Sequence, residues 1–208
     1  MRAIGIALGM LGVCRATADS QVYSPKAGVG MAFIIANPAG QLAGALNVFV
    51  PLNLGSHFRL EPQIGWHTSS FDEVPADPSS PGNGVSGSTR VLLLGVGFLG
   101  TERPGDGTTF LYYGPRIGLA WTRQNLTDGS SGSSLTETQT SWYANMVVGG
   151  EHLFSHLSIG GEVGLGYLHS GTPNWTQSGP ATFPGASDAK GHALGTNATA
   201  LVRWYFGS

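Results

Sequence analysis

Two sets of residues in this chain could do chemistry. His67 and Ser69 stand on alternate positions of Trp66-His67-Thr68-Ser69, with Asp72 and Glu73 a few residues on. Alternate positions of a strand share a face, so this spacing sets an imidazole beside a hydroxyl near a carboxylate. A base that orients a hydroxyl is what nucleophilic attack on an ester requires. The plainer reading is hydrogen bonding at a polar rim, and on that reading the chain is not an enzyme. The second set is Arg59, Glu61, Arg116, Glu151, Glu162 and Arg203, which fall on the polar faces of otherwise apolar segments. Three are cationic and three anionic, the balance required of charges withdrawn from water together, because an unpaired buried charge costs several kcal/mol. Arginine suits such a site, since its planar fork takes a carboxylate through two hydrogen bonds. The network would either plug an interior or line a path for ions or protons, and the plug is expected.

Weaker candidates carry less. His169 and Ser170 are adjacent, so a strand would turn them to opposite faces. His152 and His156 flank a turn but have no third ligand near them in sequence, so no metal and no cofactor is expected. The triplets beginning at Asn125, Asn174 and Asn197 are glycosylation acceptors only in a suitable secretory pathway. Glycines recur at alternate strand positions rather than ahead of a helix, so no phosphate-binding loop is present. A net charge of -2, with Lys26 and Lys190 the only lysines, gives no basic footprint for nucleic acid.

The elements that must position these residues follow from periodicity. Residues 56–69 alternate Phe58, Leu60, Pro62, Ile64 and Trp66 with His57, Arg59, Glu61, Gln63, Gly65 and His67. That period of two is a strand, and a charged face opposite an apolar face ending in Trp suits a polar inside and lipid outside. Only 11% of the 208 residues are charged and 33 are glycine, against about a quarter charged and about 7% glycine in ordinary soluble domains. Residues 1–18 combine Arg2, an apolar run and Ala16-Thr17-Ala18, the three parts of a signal peptide. Its removal would leave 19–208 as one barrel domain without cysteine, since Cys14 would depart with the peptide.

Elsewhere, apolar pieces of about ten residues lie between Asn, Pro and Gly breaks, too short for a spanning helix and matched to a tilted spanning strand. Strands are predicted over 28–36, 42–52, 56–69, 89–99, 109–123, 138–153, 157–167 and 192–206. The Ser-, Gly- and Pro-rich stretches 71–88, 126–137 and 171–190 become exposed loops at one end, and short turns close the other; the short turn at 37–41 is the exception. Trp66, Trp121, Trp142, Tyr167, Trp204 and Phe206 fall near strand ends, where interfacial girdles lie. The prediction is an all-β protein, a transmembrane eight-stranded antiparallel up-and-down β-barrel, monomeric, with a polar interior filled by its own side chains.

Three motifs carry a family resemblance: Tyr112-Tyr113-Gly114-Pro115-Arg116-Ile117-Gly118; Gly149-Gly150-Glu151-His152 with Gly161-Glu162 following; and the ending Ala200-Leu201-Val202-Arg203-Trp204-Tyr205-Phe206. With them the chain resembles the small eight-stranded outer-membrane barrels of the OmpA/OmpX type, a porin-like family. The resemblance implies the outer membrane of a Gram-negative-type bacterium, with outer-membrane lipid and lipopolysaccharide around the barrel. It also implies delivery to the barrel insertion machinery through the C-terminal strand. Members serve as anchors, adhesins or small-solute channels, so a structural role or loop-mediated binding of an unidentified extracellular ligand is expected, with a narrow small-solute pore as the alternative. Some outer-membrane barrels that deacylate lipid A space a His and a Ser as His67 and Ser69 are spaced, though nearer the C-terminus, which makes a lipid A-modifying hydrolase the third reading.

Overall fold

The computed structural model describes residues 25–36, 46–73, 84–105, 107–180 and 190–206. The strands are β1 Ala27–Ala36, β2 Leu46–Phe49, β3 Leu52–Asn53, β4 Phe58–Glu73, β5 Val85–Glu102, β6 Thr109–Asp128, β7 Ser133–Phe154, β8 Leu157–Ser170, β9 Asn174–Ser178 and β10 Gly191–Phe206. The pairing is antiparallel throughout, in the order β10-β8-β7-β6-β5-β4-β2-β1 with β9 added beside β7, and β1 closes on β10 from Ala27↔Phe206 to Ile34↔Thr199. β2 and β3 make one stave, so the wall is the closed eight-stranded antiparallel barrel that the alternation predicts. Pro51 has no N–H to donate and separates the two pieces. Val50 N still donates to Pro62 O at 2.9 Å and Gly28 N to Pro51 O at 3.0 Å, which keeps the stave stitched to both neighbours.

Alternation fills the lumen and clothes the outside. On β4, Arg59 and Glu61 are buried while Ile64 and Trp66 are exposed, and the other staves repeat the rule. From Phe58 to Trp66 on β4 and from Tyr113 to Trp121 on β6 are eight residue steps each, about 26 Å along a strand. A strand tilt of about 40° reduces that to roughly 20 Å of height, and no outward position in the band bears a charge. Inside, glycine makes room for rings. A Cβ on Gly149 would overlap the Tyr112 ring, and one on Gly95 or Gly118 would overlap Tyr143.

The interior is less polar than predicted. Phe49, Leu99, Tyr112, Val147 and Leu201 form one buried cluster. Phe110, Leu153 and Tyr205 lie toward the end with short turns, and Leu93, Tyr143 and Leu168 toward the other. Six charged side chains cannot fill the lumen, and apolar ones occupy the remaining volume.

Strand ends also differ from expectation. β4 leaves Ser56 and His57 in a turn and runs on to Glu73, and β5 begins at Val85, so both ends of the predicted loop 71–88 are strand. The predicted loop 126–137 is a tight hairpin, with only 129–132 between β6 and β7 and Gly132 at φ 66°. The predicted loop 171–190 contains β9, which pairs Asn174 to Ser178 with Thr138 to Ser134 of β7. Beyond the apolar band most side chains on both faces are polar, so hydropathy loses its period while the backbone ladder continues, although Ser133 and Leu135 stay buried. The predicted signal segment 1–18, the turn 37–41, the start of the predicted strand 42–52 and the loop cores 74–83 and 181–189 lie outside the described residues.

Candidate functional site

The six predicted lumen charges meet. Arg59 and Glu61 come from β4, Arg116 from β6, Glu151 from β7, Glu162 from β8 and Arg203 from β10, and none is more than 8% exposed. Four of them close a ring. Glu61 Oε1 lies 2.9 Å from Arg203 Nη2, Arg203 Nη1 lies 3.0 Å from Glu151 Oε2, Glu151 Oε1 lies 2.7 Å from Arg59 Nη1, and Arg59 Nη1 returns to Glu61 Oε2 at 3.8 Å. Arg116 Nη2 joins the ring at Glu61 Oε1, 2.7 Å, and extends it to Glu162 Oε2, also 2.7 Å. Each carboxylate thus has at least one arginine, as groups sealed from water require.

A second layer holds the ring in place. Tyr205 donates its hydroxyl to Glu151 Oε1 at 2.7 Å and Ser158 donates to Oε2 at 2.6 Å. Arg59 Nε donates to Asn53 Oδ1 at 2.9 Å, and Asn53 Nδ2 donates to Pro25 O at 2.7 Å. Guanidinium faces rest on aromatic rings: Arg59 is 5.4 Å from the Tyr112 centre and 5.6 Å from that of Phe110, and Arg116 is 4.9 Å from Phe49. Such contacts add favourable cation–π energy where water is excluded. The sequence motifs contain Tyr112 and Tyr205 without giving them a role, and Ser158, Asn53 and Phe49 lie outside those motifs. Tyr205 had a signal, since it stands two residues from Arg203 on the same strand face; Ser158 sits opposite Arg203 only through the β8–β10 register.

Above Arg116 and Glu162 lies a cavity of about 90 Å³, bordered by Asn47, Gln63, Tyr143, Asn145, Asn197 and Thr199. Gln63 donates to the Tyr143 hydroxyl across it. Phe49, Leu93 and Leu168 line it as well, and the amides of its wall offer hydrogen bonds to water or a small polar solute.

His67 and Ser69 follow Gly65 on the inward set of β4, His67 half-buried and Ser69 exposed. No hydrogen bond joins them among the described residues, and Asp72 falls on the outward set. Register turns His169 outward beside Trp142, ring centres 5.7 Å apart, while Ser170 is buried. His152 Nδ1 lies 3.2 Å from Thr109 Oγ1 and the His156 ring stacks on Trp204. Among the described residues no three His, Cys, Asp or Glu side chains gather as metal ligands.

No family model matches the chain and no curated protein matches it in sequence. Solved structures similar to it include outer-membrane proteins. Acinetobacter baumannii CarO is 11% identical over 90% of this chain and 100% of its own, with a TM-score of 0.46. CarO2 of the same organism is 11% identical over 86% of this chain and 98% of its own, at 0.41. A major outer membrane protein from Thermus thermophilus is 14% identical over 86% of this chain and 99% of its own, at 0.47. With every score below 0.5, what this barrel does has to be read from its own residues.

Proposed function

We propose that this chain is an outer-membrane barrel of the OmpA/OmpX type, monomeric and closed to solutes, with a structural or recognitive role. Outer-membrane lipid and lipopolysaccharide surround its apolar band. β10, ending in Trp204-Tyr205-Phe206, serves as the strand recognised by the insertion machinery. The hairpin β6–β7 and the added strand β9 form the platform that an extracellular ligand meets. The observation that carries the closed reading is the ring of Glu61, Arg203, Glu151 and Arg59 with its arm to Arg116 and Glu162. An eight-stranded barrel is just wide enough for its own side chains, and an ion would have to break several desolvated pairs to pass.

Planar-bilayer recording on the full chain tests this, after a heat-dependent shift in gel mobility has verified a folded barrel. Silent membranes are expected; steps of reproducible size would overturn the plug. A narrow small-solute pore is the second reading, and the cavity above Arg116 favours it. It requires steps whose size changes in Arg116→Ala. Ester hydrolysis by His67 and Ser69 draws no support from the described side chains, among which the pair shares no hydrogen bond and Asp72 falls on the other face.

A further inference from the structure

Just beyond the apolar band, the outer wall of β4 to β7 carries three rows set by register. The first is Trp66, Leu92, Trp121 and Thr140, each directly opposite the next. The second, one outward position further on, is Thr68, Arg90, Arg123 and Thr138. The third contains Ser88, Asn125 and Thr136. A cleft of about 480 Å³ spans the first two rows.

Arg90 and Arg123 therefore stand face to face on adjacent strands. Directly opposed like charges destabilise a sheet. Among the described residues neither arginine has a carboxylate partner, and the three rows contain no acid. The fork of Arg123 is nonetheless oriented: its Nε donates to Asn125 Oδ1 at 3.4 Å, Thr136 Oγ1 donates to the same oxygen at 3.0 Å, and Asn125 Nδ2 donates to Ser88 Oγ at 3.4 Å. Two planar cationic forks at one height match an anion with several oxygens, and phosphate is the group arginine holds bidentately. Below them the apolar row continues into the lipid band, and indole rings mark the interface. Hydroxyls and amides above and beside them match a sugar.

We propose that Arg90 and Arg123 hold the phosphate of a phosphorylated, acylated glycolipid of the outer leaflet, with acyl chains along Trp66, Leu92 and Trp121 and sugar hydroxyls facing Thr68, Thr138 and Ser88. This rests on the reading of the chain as an outer-membrane barrel with the β6–β7 hairpin outside. The full chain, folded in neutral detergent, is titrated with bisphosphorylated lipid A and bound lipid is counted by native mass spectrometry. Binding is expected to be at least tenfold weaker in the R90Q/R123Q variant, and at least tenfold weaker for dephosphorylated lipid A on the native protein, a comparison independent of how the variant folds. Equal binding by the variant or by the dephosphorylated lipid would overturn the site. So would equal competition from phosphatidylglycerol or from inorganic phosphate. Heat-dependent gel mobility is read on the same samples: a native chain with no folded barrel band overturns the membrane reading itself, whereas folded protein that ignores the phosphate overturns only the lipid site.

Discussion

The lumen and the outer wall treat arginine in opposite ways. Inside, Arg59, Arg116 and Arg203 each touch a carboxylate, and three cations meet three anions. Outside, Arg90 faces Arg123 with no acid in the row. The lumen charges are withdrawn from bulk water, so they must close on each other. On the outer wall water screens the repulsion, and the open side leaves space for an anion from the surroundings. Among the described residues, the two opposed arginines without a carboxylate stand where something else can reach them.

The sharpest way to break this contrast is to unbalance the ring. Arg203→Met removes the cation that touches both Glu61 and Glu151, and should cost roughly 3–5 kcal/mol, as for other buried pairs broken on one side. The midpoint of urea unfolding, followed by the gel-mobility shift, measures it. Removing Arg116 and Glu162 together should cost less than the sum of the two single changes, because the charges leave as a pair. Simple additivity would mean that the ring is a set of independent contacts.

How much of this was legible beforehand follows the same division between lumen and water. The barrel and the facing of its staves were readable because an apolar band on one face imposes a period of two, as on Phe58, Leu60, Ile64 and Trp66. The six lumen charges were readable as a set for the same reason. Who touches whom was not: Glu61 and Arg203 are 142 positions apart, and their contact depends on the tilt and closure of the whole sheet. The strands above the band were read as loops, since Gln124 to Asp128 and Ser133 to Glu137 have one large apolar side chain each, Leu126 and Leu135, too few to show a period, although threonines such as Thr136, Thr138 and Thr140 favour extended backbone. The pair Arg90 and Arg123 was invisible in sequence because only the β5–β6 register sets one against the other.

A second test asks whether the outer pair behaves with the opposite sign. In lipid-free detergent, Arg90→Gln should leave stability unchanged or raise it by up to about 1 kcal/mol, the scale of a like-charge pair across a ladder. Thermal unfolding by far-UV circular dichroism measures it. With bisphosphorylated lipid A present the order should reverse, the native chain gaining stability that the variant does not. A loss in lipid-free detergent would show that Arg90 holds a contact within the protein and is not kept open for an anion.

The smallest expected effect concerns an anion that is neither sealed nor open. Asp128 ends β6 at the tip of the hairpin, half-buried, and it has partners. Ser130 donates its N–H at 2.9 Å and its hydroxyl at 2.6 Å to Oδ1, and Ser131 donates its hydroxyl to Oδ2 at 2.8 Å. Those donors favour the ionised form, the Ser130 hydroxyl most of all, and hold the carboxyl below the ordinary aspartate range. Because the folded value is the lower one, the turn's contribution is present above the unfolded pKa, about 3.9 for aspartate, and is lost as pH falls through the folded value. Carbon-13 NMR of the Asp128 carboxyl should show a depressed midpoint that moves back toward the ordinary value in Ser130→Ala. A midpoint unmoved by that change would mean that the serines only decorate the turn. A depressed one would set a third case beside the ring and the open pair: in water, a few local donors suffice to satisfy a charge that the lumen can satisfy only with an opposite one.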